Sequence, residues 1–228
     1  MLKMNREKFE RLFTYFQNRL ESAEKFDELS GFLLAICYVK LGDFTNAQQL
    51  FEKSCLAMFR PPKMWKISAQ VSRLVDVWIL STRQSLYPTV LEELENYRKD
   101  MPKNNANSLL AQYSYGLVEL LYPTGFNIPL WIQNLTVKPS IKDMFAIGQV
   151  FQAILDRDAI GLNSATENLL LSHQGKAKHG ILRETPEGFI CMSAMSLAYV
   201  AHKYDMKVIV TSEYFSPGYL NFMIEHAA

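Results

Sequence analysis

The chain has 228 residues, 49% hydrophobic and 21% charged, enough to bury most of its apolar surface in one large domain or two small ones. Its 24 Lys and Arg against 23 Asp and Glu leave a net charge of +1, which carries neither the basic footprint of nucleic-acid binding nor the acidic excess of a DNA mimic. Three cysteines, Cys37, Cys55 and Cys191, are odd in number and set in apolar helical patterns, so they read as buried thiols of a reducing cytosol, not as a disulfide framework.

Phe9, Leu12, Phe13, Phe16 and Leu20 recur at helical spacing and predict an amphipathic helix over 5–20, with Asn5 as its N-cap. Charged and apolar residues alternate from Met1 to Arg11, without the pattern of a secretory signal. A deeper helix is expected over 25–41. Its run from Phe32 to Val39 is far short of the roughly 18 apolar residues that span a bilayer. Gly42-Asp43 breaks it, glycine suiting a left-handed cap and aspartate capping the helix over 44–59. Arg60-Pro61-Pro62 stops that one.

A fourth helix is predicted over 64–80, carrying Trp65, Ile67, Val71, Leu74, Val75 and Trp78. A fifth, over 89–99, places Glu92, Glu93 and Glu95 in its opening turns, where the helix dipole favours negative charge. Met101-Pro102 ends it, and 104–108 offers caps for a sixth over 109–121. The stretch from Tyr122 to Pro129 is expected to be irregular, with Lys138-Pro139-Ser140 punctuating it again. It divides the chain, read as one all-helical domain over 1–228, into internal halves 1–122 and 140–228. Helices resume over 141–155 and 160–172, followed by a polar loop over 174–187 and an apolar helix over 189–203. Only Val208-Ile209-Val210 has strand character, and it has no obvious partner. A short terminal helix follows Tyr214-Phe215-Ser216-Pro217.

The count is nine or ten helices with short connections, which predicts an all-α fold of stacked antiparallel helical hairpins, tetratricopeptide-like in architecture. The segment from Tyr38 to Ser54 is similar to the second half of a tetratricopeptide repeat, with Gly42 at the turn, Ala47 at a close approach and Phe51 in the groove. A fainter echo stands at 154–159, and the two do not make a periodic array.

Chemistry is sparse. His173 and His179 are six apart in the expected loop, a spacing unlike the four-residue interval of two metal-binding histidines on one helical face. Cys191 and His202 fall on one predicted helix, about 16 Å apart along its axis at ~1.5 Å per residue, too far for a nucleophile–base pair. No phosphate loop, nucleophile elbow or paired-cysteine motif is present. No catalytic, cofactor or metal residues are therefore assigned. Aromatic side chains on the irregular stretch, Tyr122, Phe126 and Trp131, are of the types that anchor protein interfaces. With Glu92, Glu93 and Glu95 they make the expected partner-binding surface.

The closing part of the chain carries a likeness. His173 ends an apolar helix, and Pro186-Glu187-Gly188-Phe189 leads to the helix 192–201. Then come Lys203-Tyr204-Asp205-Met206-Lys207-Val208 and Tyr214-Phe215-Ser216-Pro217 before Leu220. This block resembles the bacterial immunity protein 49 family, the all-helical antitoxins of polymorphic toxin systems. Leu41-Gly42-Asp43 and Leu155-Asp156-Arg157-Asp158 fit the same architecture, and Asp205 departs from a more usual glycine after the helix. The resemblance implies a non-enzymatic cytoplasmic protein that neutralises a cognate toxin domain by direct binding, with no nucleic acid or membrane as partner. Two other readings stay open. One is a tetratricopeptide-like adaptor with a peptide-holding groove. The other is a small helical hydrolase using His173, His179 or His202, which calls for a deep pocket of converging ionisable groups.

Overall fold

Two turns of the same construction organise the helices. In the computed structural model, which describes residues 6–59, 68–100, 108–123, 128–137 and 139–227, the chain is all-helical, with eleven α-helices, two 3-10 turns and no strand among those residues. Helix α1 (Arg6–Ser22) buries Phe9, Leu12 and Phe16 along one face. Helix α2 (Glu28–Leu41) is apolar nearly all round and buried along most of its length, as expected of a helix covered on every side. Asp27 caps it, Oδ1 accepting from Leu29 N and Ser30 N at 3.1 and 3.3 Å. Helix α3 (Phe44–Met58) follows a turn in which Gly42 takes the left-handed conformation (φ 82°) and Asp43 accepts from Asn46 N.

Helix α4 (Ser68–Ser81) and a 3-10 turn (Gln84–Leu86) lead to α5 (Tyr87–Asp100). The predicted start of the fourth helix, with Trp65 and Ile67, lies outside the described residues, as do Asn5, Arg60-Pro61-Pro62, Met101-Pro102 and Phe126. Ser108 caps α6 (Leu109–Leu121), its hydroxyl accepting from Ala111 N. The irregular stretch is shorter than expected, because Ile128 and Pro129 open a further helix, α7 (Ile128–Thr136). Proline is tolerated in a first turn, where the missing N–H has no helical acceptor to lose.

Helix α8 (Lys142–Asp156) and α9 (Ala159–His179) make the second tight hairpin. Helix α9 runs past the predicted end at Ser172, so His173 and His179 are helical residues and the following loop is short. After a 3-10 turn (Pro186–Gly188), α10 (Met192–Lys203) starts three residues later than predicted, with Cys191 at its N-cap. Val208-Ile209-Val210 forms no strand. A side chain takes the place of a partner strand: Ile209 N donates to Asn163 Oδ1 at 2.5 Å, and Asn163 Nδ2 donates to Lys207 O at 3.3 Å. Helix α11 (Pro217–Glu225) closes the chain, capped by Ser216.

Consecutive helices pack most extensively as α2 with α3 and α8 with α9, joined by α3 with α4 and α7 with α8. Helix α10 then returns against α4 and α6, and the 3-10 turn before it packs on α2. That closure differs from a linear stack, in which each hairpin touches its neighbours alone. Buried apolar side chains from Phe9 to Met223 form one continuous cluster through both halves of the chain. No helix among the described residues is long and apolar enough to cross a membrane.

Candidate functional site

The three glutamates of α5 do not all face outward. The helix starts at Tyr87, with Pro88 in its first turn, which moves Glu92, Glu93 and Glu95 out of the opening turn. Val90, Glu93, Leu94 and Tyr97 recur at one helical face, and all four are buried. Glu93 therefore turns inward, whereas Glu92 is exposed. Glu95 is half-buried and sits 4.0 Å from Lys99 one turn on.

Tyr122 is half-buried in an aromatic group. Its ring stacks on Tyr87 with centroids 4.0 Å apart and planes at 23°, and both rings lie about 6 Å from Trp78. Its hydroxyl donates to Gln84 Oε1 at 3.2 Å. The group borders a cavity of about 130 Å³ that Arg83, Tyr199 and Lys203 also line. Trp131 lies on α7, with its side chain outside the described residues.

A larger cavity, about 260 Å³, opens between α2, α4, α8, α9 and the start of α10. Its apolar walls include Phe32, Leu110, Ile147 and Leu169, and its ionisable wall residues come from four separate elements. Asp76, in the middle of α4, is buried. Its Oδ1 accepts from Tyr113 Oη at 2.5 Å and from Ser196 Oγ at 2.6 Å, linking α4 to α6 and α10. Burial pushes the Asp76 carboxyl up to about 6, opposed by these two hydroxyls and by the charge of Arg73. Burial, with the charge of Asp76 and the bond to it, holds the Tyr113 hydroxyl protonated well above the usual phenol range.

Two ion pairs stand in the same walls. Arg73 on α4 meets Glu187 at 3.3 Å and lies over the Phe32 ring, and Lys176 on α9 meets Asp143 on α8 at 2.5 Å. His173 is buried with its ring edge on Tyr214, centroids 5.2 Å apart, and its Nε2 has no hydrogen-bond partner among the described residues. Burial and the neighbouring Lys176 charge lower its pKa to about 4, partly offset by the Gly188 backbone. The Cys191 thiol, also in the wall, is pushed up to about 12 by burial, so it is not a thiolate nucleophile at neutral pH.

The four histidines are scattered. His179 is exposed at the end of α9, His202 is half-buried in the last turn of α10, and His226 is stacked on Phe222 near the chain's end. Among the described residues no group of three or more His, Cys, Asp or Glu could hold a metal ion. Of the residues singled out in the sequence, His173, Glu187 and Cys191 reach the large cavity. Asp76, Arg73 and Lys176 were missed. The signal for Asp76 was present, since one carboxylate interrupts the apolar run Leu74-Val75-Asp76-Val77-Trp78, and a charge in such a run is rarely buried without partners.

The closing-block segments at 173, 186–189 and 214–216 come together beside this cavity. His173 meets Tyr214, Cys191 N donates to Tyr214 O at 2.8 Å, Glu187 meets Arg73, and the Phe189 ring lies 5.4 Å from Phe9 on α1. No family model, curated protein or solved structure matches the chain.

Proposed function

We propose that the chain is an immunity protein, an antitoxin that neutralises a cognate bacterial toxin domain in the cytoplasm by direct binding. The observation that carries this reading is the convergence just described. Motifs separated along the chain, at 173, 186–189 and 214–216, meet as one structural unit that fastens the closing block to α1, α4 and α9. Binding in place of catalysis is supported by the state of the ionisable groups. Arg73 and Lys176 each face a carboxylate, and the buried thiol is held protonated. Activated nucleophiles need the opposite, a lowered pKa or an adjacent base.

The contact surface proposed is Glu92, Glu95 and Tyr122, together with the stretch carrying Phe126 and Trp131. Aromatic and charged anchors of this kind dominate interfaces of about 1,600 Å². The test is co-expression with the C-terminal domain of each secreted protein encoded beside this gene, scored for toxicity alone, for survival with this chain and for co-purification of the pair. Survival restored by this chain, and lost in a Tyr122→Ala, Glu92→Lys double variant that still folds, is the expected result. Cells that die although the chain is expressed and soluble would overturn the reading.

A further inference from the structure

The large cavity is lined by the Asp76 carboxylate and by a buried atom without a hydrogen-bond partner among the described residues, His173 Nε2. Both hydroxyls at Asp76 donate to the same oxygen, Oδ1. His173 contacts the Gly188 backbone through its ring, and Nε2 is the nitrogen left without a partner. In a neutral imidazole whose other nitrogen donates, that free nitrogen is an acceptor. An unmatched buried acceptor beside a carboxylate selects a ligand with N–H or O–H donors.

Charge narrows the choice. The walls contain two cations, Arg73 and Lys176, and three carboxylates, Asp76, Asp143 and Glu187. Each cation is engaged by one carboxylate, at 3.3 Å and 2.5 Å, which leaves Asp76 as the wall anion without an ion-pair partner in direct contact among the described residues. An ammonium supplies three donors and a positive charge at once, whereas a guanidinium needs a planar fork that a carboxylate already engaged at Oδ1 does not match. The remaining walls, with Phe32, Leu110, Ile147 and Leu169, are apolar and suit a hydrocarbon stem. At about 260 Å³ the cavity lies just below the roughly 300–1,000 Å³ of drug-sized sites, so the occupant is small.

We propose that this cavity binds a primary ammonium group on a short aliphatic stem, with Asp76 and His173 as its acceptors. The same chemistry comes either from a free alkylamine or from a lysine side chain of a bound protein. The proposal stands apart from toxin binding, and its test uses no toxin. n-Pentylamine, pentan-1-ol, pentanoate and Nα-acetyl-lysine N-methylamide are titrated separately into the purified full chain, with amide chemical shifts as the readout.

Saturable shifts at the cavity with pentylamine, and weaker binding of the alcohol and the acid, are expected. Asp76→Asn should weaken pentylamine binding roughly tenfold or more, since it leaves the ammonium without its counter-charge. His173→Phe keeps the ring volume and removes the acceptor, and should weaken binding several-fold. It decides the matter if Asp76→Asn does not fold. Binding of the lysine derivative as well assigns the site to a partner's side chain, and binding of pentylamine alone assigns it to a free amine. Pentanoate or pentanol binding as tightly as the amine would overturn the proposal. So would the absence of saturable binding by either amine.

Discussion

The hairpins α2–α3 and α8–α9 solve one problem with different residues. Each chain reversal uses a left-handed residue followed by an aspartate cap: Gly42-Asp43 in the first, Arg157-Asp158 in the second. At Gly42 (φ 82°) the conformation carries no steric penalty and the space around it is open. Arg157 adopts φ 58° with a full side chain, a conformation that costs roughly 1 kcal/mol outside glycine. Tertiary contacts offset that cost. The Arg157 guanidinium donates to Tyr204 O and lies 4.8 Å over the Tyr204 ring, tying the second turn to the end of α10. Both turns therefore dock the closing block, the first through its flanking residues, Lys40 to Glu213 O and Phe44 to the Tyr219 and Phe222 rings, the second through the left-handed residue itself.

The hairpins also differ in what they bury, and the largest prediction tests this. Helices α2 and α3 bury serines and thiols, while α9 buries His173. The folded-state pKa of His173 is lowered from 6.5 to about 4. The unfolded chain thus binds the extra proton between those values, and stability from this group is lost as pH falls. Asp76 acts in the opposite sense: its raised pKa makes the fold bind the extra proton, so stability from this group falls as pH rises from 3.8 to about 6. Over pH 4–6 the two slopes oppose each other. Urea denaturation of His173→Phe should show its stability, relative to the native chain, falling by roughly 2–3 kcal/mol from pH 4 to pH 6.5. A parallel pair of pH profiles would show that His173 is not buried as a neutral ring.

Steric change at the outer face of the second hairpin comes next. A Cβ on Gly148 would lie 2.9 Å from Leu135 Cβ and Thr136 Cγ2, atoms that cannot swing away. Gly148→Val should cost about 2 kcal/mol by forcing α7 from α8, and an unchanged melting temperature would refute so close an approach. The caps should be equivalent. Asp43→Ala and Asp158→Ala each remove acceptors of the first turn's N–H groups and should each cost about 1 kcal/mol. Unequal losses in thermal melts would mean that one turn is held by other contacts.

The smallest effects separate the left-handed residues. Gly42→Ala should cost about 1 kcal/mol through backbone strain alone. Arg157→Gly removes the strain along with the Tyr204 contacts, so its net effect should stay within roughly 0.5 kcal/mol. Equal destabilisation by the two changes would remove the distinction between the turns.

Much of the fold was legible along the chain because the signals are local. Gly42-Asp43 and Asp158 were readable as breaks and caps, and α6 runs over the predicted 109–121. The misses have physical causes. Pro123, Gly125 and Pro129 together read as the breakers of one loop, which hid α7, although proline also suits the first turn of a helix. The polar tail of α9, through Gln174 and Lys176 to His179, has no apolar period and is helical by extension from the buried turns before it. Glu93 was readable as an inward residue from its place between Val90 and Tyr97, but its acidic neighbours drew it into a surface patch.

By itself the sequence determined that the chain is helical, where most helices lie, and that its thiols sit in apolar faces, since periodicity, caps and breakers act within a few residues of one another. Only the tertiary structure decided that Phe32, Asp76, Asp143, His173 and Glu187 share one cavity, and which of its charges are paired. Those residues come from α2, α4, α8, α9 and the 3-10 turn that packs on both α2 and α9, a long-range packing choice made by the whole apolar surface and written in no single stretch of chain.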